Sequence, residues 1–266
     1  PGDALYVRDE ETGEVWTPTA LPIRERGSPY VATHGQGYSR FKHSAHGVTL
    51  DLLYYVPVGD CIRISRLKIT NHATRVRHLS VTAYVEWVLG RSRAASAPFV
   101  ITEIDAETGA MFAQNPWSND FGEQIAFADL AGRQVAWTGD RAEFLGRDGT
   151  LERPLGLTPG TRLSNRVGAG LDPCGALQTP VTLGVAGVME VVFFLGCAAD
   201  RTTAQALIAK YRAADLDAAF ADVTRQWDGI TDVIQVKTPD RALDILMNRW
   251  LPYQTLACRM WARTGF

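Results

Sequence analysis

Alternating apolar and polar residues dominate the first three quarters of the chain and predict β-strands. The most regular run is 79–87, where apolar side chains alternate strictly with Ser, Thr, Tyr and Glu, as in a strand with one buried face. Further runs predict strands at 48–56, 62–69, 111–113, 124–127, 135–137, 181–185 and 187–196. The last contains the apolar sequence VVFFL, which indicates a central strand covered on both faces. Many short strands separated by turns are typical of a sandwich or barrel.

Two stretches depart from this regularity. Within 62–69 the alternation slips by one residue between Ser65 and Arg66, which suggests a β-bulge. Residues 147–180 are rich in glycine and proline, and we expect long loops there.

From Arg201 onward the apolar period becomes helical. Thr202 or Thr203 is the expected cap of a helix that reaches about Arg212. Asp215 is expected to start a second helix with an apolar stripe, followed by a short extended link at 233–236. The stripe consists of Leu216, Phe220, Val223 and Trp227.

Residues 238–266 predict a third helix with one broad apolar face. Thr238 suits the N-cap, Pro239 the first helical position, and Gly265 a C-terminal stop. The face is formed by Leu243, Leu246, Met247, Trp250, Tyr253, Leu256 and Met260. A helix this apolar does not stand alone, so we expect it to pack on the sandwich or on a second copy. We also expect the chain to be a piece of a larger protein.

Composition excludes several classes of function. The net charge of −2 offers no basic surface for nucleic acid, and no apolar run reaches the eighteen or so residues needed to span a membrane. We therefore expect no nucleic acid partner and no direct membrane contact. The first residues lack the features of a signal peptide, and the four cysteines are isolated from one another in sequence. Reduced structural thiols and a cytoplasmic location are the expectation.

No known catalytic or metal-binding motif is present. The histidines lack the spacing of metal ligands, and the acidic groups at 9–11 and 103–105 lie among charged turn residues, where solvated side chains are the default. We find no nucleophile elbow, zinc-protease motif or dinucleotide fingerprint. The sequence therefore predicts no catalytic residue and no metal site.

Two polar, aromatic-containing segments are candidates for sugar binding. The loop 34–40 (HGQGYSR) lacks the lysine of a phosphate-binding loop, so it is either a glycine turn or a polar loop at a sugar site. Trp16 and Trp117 lie in turn-rich stretches and could stack on sugar rings, although structural packing is the favoured interpretation for both. Trp87 is expected in the core. The candidate substrate-binding residues are Trp16, His34, Gln36, Tyr38 and Trp117.

Six stretches together resemble glycoside hydrolase family 94, the cellobiose and chitobiose phosphorylase group. They are RDEETGEVWTPTALP (8–22), HGQGYSRF (34–41), LSVTAYVEWVLG (79–90), DPCGALQTPVTL (172–183), EVVFFLG (190–196) and the terminal segment 238–266. Within the family, the chain is similar to the phosphorylase-like C-terminal portion of cyclic β-1,2-glucan synthases. The run NRWLPYQ after TPD is the most specific of these motifs.

This resemblance implies a mainly β architecture: a large antiparallel β-sandwich (a supersandwich), a helical linker and the first helix of a truncated (α/α)6 barrel. On this mapping the sandwich is 1–198, the linker 199–237 and the first barrel helix 238–266. It also implies a homodimer, contact with the protein's own catalytic barrel, and loops that approach the partner's sugar site, for which 34–40 and 115–120 are the candidates.

The resemblance implies inverting phosphorolysis or transfer of β-glucosides, with inorganic phosphate as co-substrate and no other cofactor. The family's general acid, glucose-binding and phosphate-binding residues match positions beyond Phe266, so we expect this chain to be inactive by itself. The expected ligand is a β-glucan or gluco-oligosaccharide. The whole protein could be anchored to the inner membrane through other segments.

Two other functions compete with a non-catalytic scaffold. A free-standing carbohydrate-binding module would need an exposed aromatic groove, which the strand patterns do not reveal. A complete small hydrolase is disfavoured because the chain lacks a motif for the acid.

Overall fold

Two antiparallel sheets stacked face to face form the body of the protein. The computed structural model describes residues 2–261, so the expected helix stop at Gly265 lies outside the described residues. The strands are β1 Asp3–Asp9, β2 Val15–Trp16, β3 Tyr30–Gly35, β4 Tyr38–Ala45, β5 Val48–Tyr55, β6 Ile62–Asn71, β7 Arg77–Glu86, β8 Ile101–Ile104, β9 Met111–Gln114, β10 Ile125–Asp129, β11 Ala136–Asp140, β12 Pro173–Leu183 and β13 Val188–Ala198.

The strands form a five-stranded sheet in the order β11-β12-β7-β1-β2 and an eight-stranded sheet in the order β3-β4-β5-β6-β13-β10-β9-β8. The helices are α1 Arg93–Ser96, α2 Arg141–Leu145, α3 Arg201–Ala213 and α4 Leu216–Thr231. A further helical segment follows at 241–261 and is described with the site. The predicted β-sandwich followed by helices is therefore confirmed.

The main apolar core lies between the two sheets. Val81 of β7, Leu50 of β5 and Phe193 of β13 are buried there, and so is Trp87, as the sequence predicted. β13 lies between β6 and β10, which confirms the central strand expected from its apolar run. Burying apolar side chains of this size contributes roughly 1.5–3 kcal/mol each, so this layer is the main source of stability.

The prediction of one exposed face for β7 is wrong. Of its even-numbered side chains, Ser80, Thr82 and Tyr84 are also buried, whereas His78 is exposed and Glu86 half-buried. The burial arises because α2 and the segment 144–163 pack on the outer face of the five-stranded sheet. Tyr84 stacks on Phe144 with ring centroids 4.9 Å apart. Alternation predicts which face of the sheet each side chain lies on. It does not predict whether another segment of the chain covers the more polar face.

The bulge suggested in β6 is also absent. Pairing with β5 and β13 runs in unbroken register through Ser65 and Arg66. The apolar residues change phase because the two ends of the strand are buried on opposite faces. Ile62 and Ile64 face the helices, whereas Leu67 and Ile69 face the other sheet.

β12 begins within the segment predicted to be a loop. It pairs with β7 over its whole length from Cys174, and glycine and proline within it concealed its extended character. Pro180 lies beyond Gln178, the last residue of β12 that pairs with β11, and so occupies a free edge where proline is tolerated.

Helices α3 and α4 cover the second face of the eight-stranded sheet. Asp200, rather than a threonine, caps α3 by accepting a hydrogen bond from the Thr203 backbone N–H at 2.7 Å. Asp215 caps α4 as predicted, and the predicted stripe of α4 packs on the sheet. Residues 233–236 form no strand.

Ion pairs fix α3 to the sheet. They are Arg201 with Asp105 (2.9 Å), Lys210 with Asp60 (2.6 Å) and Arg212 with Asp129 (2.7 Å). Burial raises the pKa of Asp105, but hydrogen bonds from Thr108, Gln205 and Arg201 outweigh it and hold this pKa below its usual value. Hydrogen bonds from Lys210 and Tyr211 likewise lower the pKa of Asp60.

We predict that acid weakens the attachment of α3. A carboxylate whose pKa is lower in the folded chain stabilises the fold above the unfolded value of about 4, and this stabilisation is lost as the pH falls through the folded value. The urea concentration at the unfolding midpoint should therefore decrease as the pH is lowered from about 5 to about 3. In Asp105→Asn this decrease should be smaller over the same pH range. Equal losses in the two proteins would contradict this account.

Candidate functional site

A groove of about 800 Å³ opens where the β3–β4 hairpin, the β5–β6 loop, α4 and the terminal helical segment meet. Its walls are largely aromatic, with Tyr38, Trp227, Trp250, Tyr253 and Trp261 among the lining residues. A smaller adjoining groove adds Gln36, Asp228 and Arg249. We define the terminal helix as residues 241–261.

The terminal helix consists of consecutive α and π turns. They are Arg241–Ile245 (α), Leu246–Trp250 (π), Leu251–Gln254 (α) and Thr255–Trp261 (π). Asp240, not Thr238, is the N-cap and accepts a hydrogen bond from the Ala242 backbone N–H at 2.8 Å. The Thr238 hydroxyl instead donates to Asp244 at 2.8 Å. The π turns lie on both sides of Pro252, which has no N–H to give to a helical hydrogen bond.

The terminal helix contacts α4 through aromatic packing and an ion-pair cluster. Trp227 of α4 meets Tyr253 with ring centroids 4.5 Å apart and Trp261 at 5.1 Å. Arg249 forms ion pairs with Asp228 at 2.7 Å and Asp232 at 2.8 Å. Arg249 thus links the end of α4 to the terminal helix.

The turn of the β3–β4 hairpin supports the same helix. The Gly37 backbone N–H donates to the Tyr253 hydroxyl at 3.2 Å, and Gln36 exchanges long hydrogen bonds of 3.4 Å with Arg249. Gly37 has a φ of 80°, and a Cβ placed there would lie 2.5 Å from Trp227 Nε1. Glycine is required here for both its backbone conformation and the close approach of the indole.

We define the seat as the contact that Gln36, Gly37 and Trp227 make with Arg249 and Tyr253 of the terminal helix. Two tyrosines near the seat are held in place by packing on α4. Tyr38 and Tyr55 both pack on Phe220 of α4, at 5.1 Å and 5.3 Å between ring centroids. Burial raises the pKa of Tyr55 to about 12, so its phenol stays protonated and donates to the Leu216 carbonyl at 2.9 Å.

Only part of the predicted apolar face of the terminal helix is covered. Tyr253, Leu256 and Ala257 pack on the cluster beneath α4, whereas the remaining apolar side chains are exposed. The exposed ones are Leu243, Ile245, Leu246, Met247, Trp250, Leu251, Met260 and Trp261. The helix therefore rests on the domain by one side and presents a second apolar side outward.

Three of the five candidate sugar-binding residues come together. His34, Gln36 and Tyr38 line the grooves beside the seat, and His34 bonds the Ser39 hydroxyl at 2.9 Å. Trp16 does not join them, and its position agrees with the structural packing that the sequence favoured over sugar stacking. It pairs with Val7 in the β1–β2 ladder and is wholly buried against the core.

Trp117 lies in the loop 115–124, and other residues of this loop, including Asn115 and Phe121, line a second, separate groove of about 710 Å³. The Trp117 indole is 73% exposed and stacks on Phe99 with ring centroids 5.3 Å apart. Arg91, Asn119 and Asp120 line this groove, and their side chains form no hydrogen bond or ion pair within residues 2–261. The neighbouring aromatic and polar groups could together contact a neutral, hydroxyl-rich ligand.

Sequence reasoning missed Arg249, Trp250 and Tyr253 as groove residues. Their spacing on a helix marked them for packing, and nothing in the sequence shows which neighbour a helix face meets. Within the described part of the chain, no three His, Cys, Asp or Glu side chains could hold a metal ion, and no helix is long and apolar enough to cross a membrane.

Two family profiles match the chain. The supersandwich domain of glycosyl hydrolase 94 matches residues 1–214, and the catalytic domain of the glycosyl hydrolase 94 superfamily matches 226–266. The second match includes the last six residues of α4, among them Trp227, and the whole terminal helix. The predicted boundaries at 198 and 237 stay predictions.

Similar proteins are much longer than this chain. The cyclic beta-(1,2)-glucan synthase NdvB of Rhizobium meliloti (strain 1021) is 36% identical over the whole chain, which covers 9% of that protein. The N,N'-diacetylchitobiose phosphorylase of Vibrio furnissii is 26% identical over 99% of the chain, which covers 33% of that protein. The chain thus spans a third or less of the length of these relatives.

A solved structure shares the fold. A bacterial glucoamylase in complex with acarbose superimposes with a TM-score of 0.55 at 7% identity, over 86% of this chain and 31% of the glucoamylase. At this identity the likeness concerns the fold alone. Because the supersandwich profile spans residues 1–214, which hold both stacked sheets and α3, the chain belongs to glycoside hydrolase family 94.

Proposed function

We propose that this chain is the non-catalytic scaffold of a β-glucan-processing enzyme and that its seat orients the first helix of the catalytic domain. The observation that carries the proposal is the contact of Gly37 and Trp227 with Tyr253. It joins a sandwich strand turn to a helix that the catalytic-domain profile matches. The exposed side of the terminal helix would then pack against further helices of the barrel, since an apolar surface of this kind favours association.

The proposed reaction of the whole protein is inverting phosphorolysis or transfer of β-glucosides, with inorganic phosphate as co-substrate. The names of its relatives support this class, since they are a glucan synthase and phosphorylases of chitobiose and solabiose. The ligand we propose is a β-glucan or gluco-oligosaccharide.

We further propose that the protein is a cytoplasmic homodimer in which the loop 115–124 forms part of the rim of a sugar site. The stacked Trp117 and Phe99 rings and the unpaired Arg91 and Asp120 side chains support a ligand-facing role for this loop. None of the four cysteines, all within residues 2–261, forms a disulfide, which accords with a reducing compartment.

A free-standing carbohydrate-binding module is the second candidate. The observation that favours it is the exposure of Trp117 beside a groove with free polar side chains. In such a module one aromatic platform and its polar neighbours would bind sugar without help from a catalytic domain.

Substitution at Gly37 tests the seat. Gly37→Ala should weaken docking of the terminal helix, because the new Cβ meets the Trp227 ring and the backbone is strained. Gly59→Ala is the matched control, with a φ of 82° and nothing within 4 Å of its added Cβ. Strain alone costs about 1–2 kcal/mol, and overpacking adds about 1–3 kcal/mol at Gly37 only.

Hydrogen exchange of residues 241–261 and urea unfolding would measure these two effects. We expect faster exchange across the terminal helix in Gly37→Ala and wild-type exchange there in Gly59→Ala. Equal exchange in the two variants would show that the turn does not hold the helix.

Calorimetric titration with β-1,2-gluco-oligosaccharides separates scaffold from module. A scaffold should show no binding in the micromolar range and release no glucose 1-phosphate from glucans in the presence of phosphate. Micromolar binding that is lost in Trp117→Ala but kept in Trp250→Ala would instead establish a module. Trp250 is the matched control because it is also an exposed tryptophan, 49% accessible, but lines the other groove.

A further inference from the structure

Two of the four cysteines lie side by side at one end of the eight-stranded sheet. Cys197 is in β13, and Cys61 directly precedes β6, its neighbour in the ladder. Gly196 pairs with Ile62, so continuing the antiparallel register by one residue places Cys197 opposite Cys61. The Cys197 backbone N–H donates to the Cys61 carbonyl at 3.0 Å, which confirms that the pairing continues to this point.

The side chains of this pair lie on the same face of the sheet and interact. Directly opposed residues of an antiparallel pair project to the same side, with Cα atoms about 4.5–5.5 Å apart. Disulfides form at Cα separations of about 4.4–6.8 Å, so this placement suits a cross-strand disulfide without movement of the backbone. The two thiols are near enough to influence each other electrostatically, and neither forms a disulfide in the structure.

The two thiols differ in accessibility in a way that favours stepwise oxidation. Cys61 is exposed, whereas Cys197 is half-buried and lines the groove beside the loop 115–124. Burial, followed by the neighbouring Cys61 group, raises the pKa of Cys197. An exposed thiol is the more susceptible to a small oxidant, and an adjacent thiol can then resolve the oxidised form.

We propose that Cys61 and Cys197 form a peroxide-sensitive dithiol that closes into a reversible intramolecular disulfide. The Cys61 thiolate attacks one oxygen of hydrogen peroxide, which breaks the O–O bond and yields a sulfenic acid and, after protonation, water. The Cys197 sulfur then attacks the Cys61 sulfur, and the hydroxyl leaves as a second water. The two thiols together lose two electrons and two protons, and the peroxide is reduced to two waters.

The disulfide would link the ends of β6 and β13, the two middle strands of the larger sheet. β6 and β13 are neighbours in space, but the whole of the segment between them in sequence, from β6 to β12, lies inside the loop that the disulfide would close. Closing so long a loop restricts the unfolded chain and should raise the melting temperature. Oxidation would also fix the wall of the groove to which Cys197 contributes.

Mass spectrometry after peroxide treatment tests the proposal. The chain should lose about 2 Da, a linked peptide should contain Cys61 and Cys197, and dithiothreitol should reverse both changes. The melting temperature should rise by about 5–10 °C on oxidation. Cys258→Ser, which removes the other exposed cysteine, should retain the whole response, whereas Cys61→Ser should abolish it.

Several outcomes would overturn the proposal. These are overoxidation of Cys61 with Cys197 left as a thiol, a link to Cys174 or Cys258, or a link between two molecules. The test is independent of the proposed scaffold role, since it is scored by covalent mass and melting temperature rather than by glycan binding or helix docking.

Discussion

Burial of the eight-stranded sheet on both faces is the constraint on which the rest of the structure depends. Its central strands carry apolar side chains toward the five-stranded sheet and also toward the opposite side. A sheet with two apolar faces needs two covers, because either face left in water would forfeit roughly 25 cal/mol for each Å² of apolar surface. The second sheet covers one face, and α3 and α4 cover the other.

The candidate site is a consequence of that second cover. Once α4 lies on the sheet, Val223 and Trp227 meet the β3–β4 turn, and the only residue that fits under the indole there is glycine. The terminal helix then rests on a surface made jointly by a strand turn and a helix. The turn of a sandwich hairpin is thereby in contact with a helix that the catalytic-domain profile matches.

Sequence reasoning succeeded where a pattern reports on one chain segment alone. The strand type, the central position of β13, the cap at Asp215 and the stripe of α4 follow from local periodicity and cap chemistry. It failed where burial comes from a distant segment. The second face of β7, predicted to be exposed, is covered by residues around Phe144.

The sequence by itself determined the family, the β-then-helix order and the apolar character of the terminal helix, because these depend on residue type and spacing. Only the tertiary structure decided that Gln36 and Gly37 support a helix more than two hundred residues later, and that Trp117 stacks on Phe99 instead of joining them. It also decided that Cys61 and Cys197 are neighbours. The physical reason is that strand order and helix docking bring together residues whose separation along the chain carries no record of their contact.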